Sequence, residues 1–153
     1  MMKMTGLLAA ALKKLEILVR PKAVYAHCDV PCGIYETDTM SHAAETVYKM
    51  VEKILALEHP EEDNQKKLDF ENTVTRMIHT KEEWAQKCKQ EILILWTDNF
   101  KEEHLTKFPD LHTKVWKATK LCSQAKRTVD LGIAQQLKDA VADIAKVFAA
   151  TKK

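Results

Sequence analysis

A chain of 153 residues, 46% hydrophobic and 30% charged, has the size and balance of one globular domain, or one domain with an appendage. Its net charge of +2 is too small to imply nucleic-acid binding. No stretch supplies the roughly 18–20 uninterrupted apolar residues of a membrane span.

The basic character is concentrated at the front. Residues 1–26 carry Lys3, Lys13, Lys14, Arg20 and Lys22 against Glu16 alone. Removing these from the totals of 24 and 22 leaves 19 basic and 21 acidic residues, so the remainder is near −2. Leu7, Leu8, Leu12 and Leu15 could line one face of a helix over residues 1–20, and Pro21 separates it from the rest of the chain. The apolar run Leu7–Leu12 is marginal against a secretory core of about 7–15 residues, and Lys13 and Lys14 come directly after it. Val24-Tyr25-Ala26 ends in the small residue that many processing peptidases accept. Residues 1–26 are therefore expected to be a removable basic leader on a cytoplasmic protein, secretion being the lesser alternative. Residues 27–153 are expected to be the working domain.

The next segment, His27-Cys28-Asp29-Val30-Pro31-Cys32-Gly33-Ile34-Tyr35, is loop-like and rich in metal-binding donors. After it, four helical stretches are predicted, since three glycines and four prolines leave little turn chemistry. Asp38 or Thr39 can cap the first, which runs to about Leu57 with Met40, Ala44, Val47, Val51 and Ile54 on one face. Pro60 closes it. The second spans about Gln65 to Phe100, with Val74, Met77, Trp84, Cys88, Ile92 and Leu95 in step and a candidate break near Thr80. A third begins after Pro109, carrying Leu111, Val115, Ala118, Cys122 and Ala125. The fourth, about Asp130 to Ala150, carries Ile133, Leu137, Val141, Ile144 and Phe148. Short connections make sequential helices antiparallel, so the expected fold is all-α, an antiparallel four-helix bundle over about residues 38–151. Cys88 and Cys122, single and within helical stripes, are expected to be buried free thiols.

A bundle alone does not specify a function. The chemistry must lie in residues 27–35. Two thiols four positions apart, with Pro31 and Gly33 shaping the chain, can converge on one ion beside the His27 imidazole. Thiolates favour soft or borderline ions, and square-planar N and S donors suit Ni(II) or Cu(II), whereas zinc prefers a tetrahedral site. By itself a Cys-x3-Cys pair is also compatible with a disulfide, a redox thiol or coincidence.

The whole nonapeptide resembles the nickel-binding hook of the nickel superoxide dismutases, whose mature chains begin His-Cys-Asp-x-Pro-Cys-Gly-x-Tyr. The resemblance continues through Glu45-Thr46-Val47, Leu95-Trp96-Thr97-Asp98, Phe100-Lys101, Phe108-Pro109-Asp110-Leu111-His112 and the last helix, covering roughly residues 27–150. It implies a dismutase that converts superoxide to dioxygen and hydrogen peroxide by Ni(III)/Ni(II) cycling, with one nickel ion per subunit. It also implies that a leader peptidase cuts after Ala26 and exposes the His27 amine. The implied ligands are that amine, the amide nitrogen of Cys28, the thiolates of Cys28 and Cys32, and the His27 imidazole as an axial donor. Asp29, Tyr35 and Lys101 become the candidate catalytic residues. Asp29 would position backbone donors, Tyr35 gate the open face or orient water, and Lys101 attract the anion. A homohexamer, with each hook held between neighbouring subunits, is implied as well. No nucleic acid or membrane partner is expected, and His42, His59, His79, His104 and His112 are not expected to be ligands.

Three positions depart from the family. Asn99 stands where a second tyrosine is common near nickel, Ala43 where a glutamate supports the axial imidazole, and Trp84 where some members have arginine. All the ligand positions are kept, so nickel binding is the firmer expectation and full rate the less firm. Two rival readings remain at this level: a metal-binding protein without turnover, and a thiol–disulfide protein using Cys28 and Cys32.

Overall fold

The computed structural model describes residues 33–60 and 63–152. The leader, the possible helix over residues 1–20 and the hook residues His27, Cys28, Asp29 and Cys32 lie outside the described residues. The described chain contains α1 (Asp38–Leu55), α2 (Asn64–Ile94), a π-helical turn (Leu95–Asn99), α3 (Glu102–Lys107), α4 (Leu111–Arg127) and α5 (Leu131–Thr151).

The predicted stripes become the core. Met40, Val47 and Val51 of α1, Cys88 and Ile92 of α2, Val115 and Cys122 of α4, and Leu137, Val141 and Ile144 of α5 are all buried. The four long helices pack in a closed ring, α1 on α2, α2 on α4, α4 on α5 and α5 on α1. Side-chain links fix the antiparallel sense. Lys89 meets Ser123 and Lys126 meets Gln86 between α2 and α4, while Lys138 meets Glu45 between α5 and α1. Among the described residues, the buried hydrophobic side chains all fall between Met40 and Phe148.

Polar residues set the helix ends. Asp63 accepts from the backbone N–H groups of Gln65 and Lys66 at 2.9 and 3.1 Å, and Asp130 accepts from Ile133 at 3.0 Å. These satisfy donors that a helix start leaves unpaired. At α1 the cap position is Thr37 rather than Asp38 or Thr39, and Asp38 lies in the first turn, where its charge suits the helix dipole.

Three expectations need correction. The second helix has no break at Thr80, because its hydroxyl bonds the Arg76 carbonyl at 3.0 Å without leaving the helix. That helix stops being regular at Ile94, and Leu95–Asn99 widen into the π-turn. The connection before Pro109 holds α3, a helix of six residues with no buried side chain.

Lys81 lies on the apolar stripe and is only 1% exposed. Its ammonium donates to the carbonyls of Ala125, Lys126 and Thr128 at 2.6, 2.9 and 2.7 Å, closing the C-terminal end of α4. Burial pushes its pKa below the ordinary lysine value, with Glu82 opposing. A cleft of about 710 Å³ beside it is lined by Lys120, Lys126 and Arg127. This end of the bundle is opposite the one that the hook joins.

Candidate metal centre

The hook enters the bundle through Gly33, whose φ of +69° lies in the left-handed region. Glycine adopts it without the Cβ penalty other residues incur. Tyr35 is half-buried against the core, and Ile34 is exposed. The last turn of the chain fastens this stem. Lys152 Nζ donates to the Tyr35 carbonyl at 3.2 Å and pairs with Glu36 at 2.8 Å, while lying 4.5 Å from the Phe148 ring centroid. The link joins positions far apart in sequence and could not be read from local pattern.

The end of α2 reaches the same end of the bundle. There Trp96 packs against Phe100 and His112 with ring centroids 6.5 and 5.3 Å apart, and Phe100 meets His104 at 6.0 Å. His104 Nδ1 accepts the Lys101 backbone N–H at 3.1 Å, and Lys101 itself is exposed. Of the sequence candidates, Tyr35 and Lys101 are therefore both at the hook end of the bundle. Asn99 closes the π-turn, and its Nδ2 is buried without a hydrogen-bond partner.

Ala43 is fully buried and Trp84 half-buried, so the departures on α1 and α2 are packing groups. The Trp84 ring sits 5.2 Å from that of His42, with Lys87 Nζ 4.8 Å from its centroid. Three other histidines also pack on aromatic rings, His59 against Phe70, His104 against Phe100 and His112 against Trp96. Among the described residues, no group of three or more His, Cys, Asp or Glu side chains could hold a metal. Cys88 and Cys122 are buried free thiols, as expected, and the Cys88 thiol is pushed far up by its contact with Cys122 and by burial. Such thiols are poor metal ligands.

Residues 27–32, outside the described residues, carry further N and S donors in His27, Cys28 and Cys32. Two thiols and an imidazole in one short segment suit a borderline ion bound by N and S. The orphaned Asn99 amide marks unmet polar demand at the bundle end that this segment joins. The residues present fit nickel.

Fold and donor set together define a helical bundle preceded in sequence by a short segment rich in N and S donors. The chain belongs to the nickel-containing superoxide dismutase family, whose model matches residues 22–152. It is 37% identical to superoxide dismutase [Ni] of Streptomyces seoulensis over 137 residues, 89% of this chain and 96% of that protein. The Streptomyces coelicolor enzyme is 36% identical over the same shares. A native nickel superoxide dismutase structure superposes with a TM-score of 0.69 at 35% identity, covering 83% of this chain and 100% of its own. The activity is that of a superoxide dismutase, an oxidoreductase, and the cofactor is nickel. Among the described residues, no helix is long and apolar enough to cross a membrane.

Proposed function

We propose that residues 27–153 are the active enzyme and that residues 1–26 are a leader removed by a peptidase after Ala26. The carrying observation is the intact hook sequence His27–Tyr35 inside the matched family region, residues 22–152. A solved family member covered in full by 83% of this chain agrees with a separable front segment. Nickel, if held by the hook, would supply a Ni(III)/Ni(II) couple for converting two superoxide ions and two protons to dioxygen and hydrogen peroxide.

The protein's part is set by its own residues. The His27 amine, the Cys28 amide nitrogen and the Cys28 and Cys32 thiolates would hold the metal with anionic and strongly donating atoms, and the His27 imidazole would add a further donor. A free α-amine has a pKa of about 7.7–8.0, so it is available to a metal near neutrality once its proton is displaced. While Ala26 remains attached, that nitrogen is an amide and one donor is missing, which makes cleavage the activating step. Asp29 positions backbone donors of the hook. Tyr35, fixed at its carbonyl by Lys152, orients water at the open face. Lys101, exposed at the same end, draws the substrate anion inward. The working form is a homo-oligomer, a hexamer by resemblance, since a nine-residue strap cannot enclose a metal alone. We place it in the cytoplasm.

The test compares residues 27–153 bearing a native His27 amine with the uncleaved 1–153 chain, each loaded with nickel. Superoxide removal only by the cleaved, loaded form is the expected result. Nickel binding without turnover would favour a metal-binding protein, and turnover indifferent to nickel and leader would favour thiol chemistry.

A further inference from the structure

The C-terminal end of a helix ordinarily repels anions, because its last carbonyls are unpaired and carry the negative pole of the dipole. At the end of α4 that polarity is cancelled. Lys81, 1% exposed, places its three ammonium protons on the carbonyls of Ala125, Lys126 and Thr128. The cleft of about 710 Å³ beside this cap has Lys120, Lys126 and Arg127 in its wall, with Glu82 as the acid among its lining residues.

None of these three cations pairs with a carboxylate among the described residues. Lys114, on the same helix, does pair, with Asp110 at 2.9 Å. Around the cleft, Lys126 Nζ meets the neutral Gln86 amide oxygen at 2.8 Å, and Lys120 Nζ lies 5.6 Å from the Trp116 ring centroid. Arg127 Nε donates to the Ser123 carbonyl at 3.2 Å, which leaves the terminal nitrogens of its fork without an acceptor among the described residues. Lys120 and Arg127 also line a second groove, of about 440 Å³, that reaches Gln136 on α5 and holds Trp116, 55% exposed. Seven residues apart on α4, the two cations are about 10 Å from each other along the axis. Their long side chains can close on one small anion from either end.

We propose that this end of the bundle is a binding site for a small phosphorylated anion of the diphosphate class, held between Arg127 and Lys120 with Lys126 adding charge. A guanidinium fork matches two phosphoryl oxygens, and an ammonium acts as a point charge beside it. A diphosphate carries enough negative charge to engage three cations in the face of Glu82. A monoanion such as superoxide or a single carboxylate engages fewer of them and is small for the cleft. Binding would add contacts at the end of α4, so an occupant should stabilise the folded chain. The site draws on no residue of the proposed hook, which joins the opposite end of the bundle.

The experiment titrates the full 1–153 chain with pyrophosphate, and separately with ADP, by calorimetry and tryptophan fluorescence. Saturable binding, a change in emission that Trp116→Phe removes, and a raised melting temperature are the expected results. Arg127→Gln and Lys120→Gln should each bind about tenfold more weakly, while the unliganded variants melt as wild type does. Lys146→Gln, at a lysine that lines neither cleft, should bind as wild type does. Tighter binding of ADP than of pyrophosphate would identify a nucleotide as the occupant, and ADP binding no tighter would identify a free diphosphate; either supports the site. Absence of saturable binding would overturn the proposal. So would unchanged affinity in Arg127→Gln and Lys120→Gln, or an equal loss in Lys146→Gln, since the attraction would then follow total charge rather than this cleft.

Discussion

Lys81→Met isolates the ammonium from the stem that carries it, since methionine fills much of the same apolar path. Three charge-assisted hydrogen bonds disappear, those at 2.6, 2.9 and 2.7 Å to the end of α4. At about 1.5–3 kcal/mol each, their gross worth would be roughly 4–9 kcal/mol. Against this stands the cost of holding the charge out of water, several kcal/mol for a buried ion. The lowered pKa of Lys81 shows that this cost is felt. The adjoining cleft of about 710 Å³ also lets water reach part of the vacated site. The net loss should be about 2 kcal/mol, which for a domain of this size lowers the melting temperature by roughly 6–8 °C. Thermal and urea unfolding measure it, and hydrogen exchange should show faster opening in the last turn of α4. A Met variant as stable as wild type would refute the reasoning, because the bonds would then merely offset the buried charge.

Gly33→Ala meets no atom within 4 Å, so its effect must come from backbone conformation alone. Its φ of +69° should cost about 1–2 kcal/mol, seen as weaker nickel binding with little change in melting, since the residue is outside the core. Cys28→Ser and Cys32→Ser should each abolish stable nickel binding yet leave helical content and melting of the metal-free chain unchanged, by titration and circular dichroism. The Cys88 pKa is raised above the ordinary 9.0. Above that pH the unfolded chain releases a proton that the folded chain keeps, so stability should fall by up to about 1.4 kcal/mol per pH unit. Urea midpoints at pH 8 and 10.5 should fall less in Cys88→Ala than in wild type.

The bundle was readable because its signal is local and repeated. Val47 and Val51, Cys88 and Ile92, or Val141 and Ile144 each mark one face at three- or four-residue spacing, and all are buried. Lys81 sits on the same stripe, in step with Met77, Trp84 and Cys88, but a lysine there reads as an interruption. Its acceptors, at Ala125, Lys126 and Thr128, exist only once α2 and α4 are packed. The π-turn and α3 escaped for a related reason, since neither has a periodic apolar face and the chain from Leu95 to Lys107 is held by aromatic contacts and Lys101–His104. The hook reading rests on the opposite circumstance. Its donors are contiguous in sequence, so no fold is needed to bring Cys28 and Cys32 together.

That contrast explains how the molecule divides its work. Among the described residues the core runs from Met40 to Phe148, so substitutions in residues 27–32 should leave it folded. The described stem of the hook, from Gly33, takes its direction from the bundle. Gly33 sets the exit angle, and Lys152 pins Tyr35 and Glu36 from the far end of the sequence. Under the proposed cleavage, a folded scaffold would precede activation, with the His27 nitrogen still held in a peptide bond. On that proposal the dismutase site requires a new chain end rather than a new fold, and ligand substitutions should silence the metal without unfolding the helices.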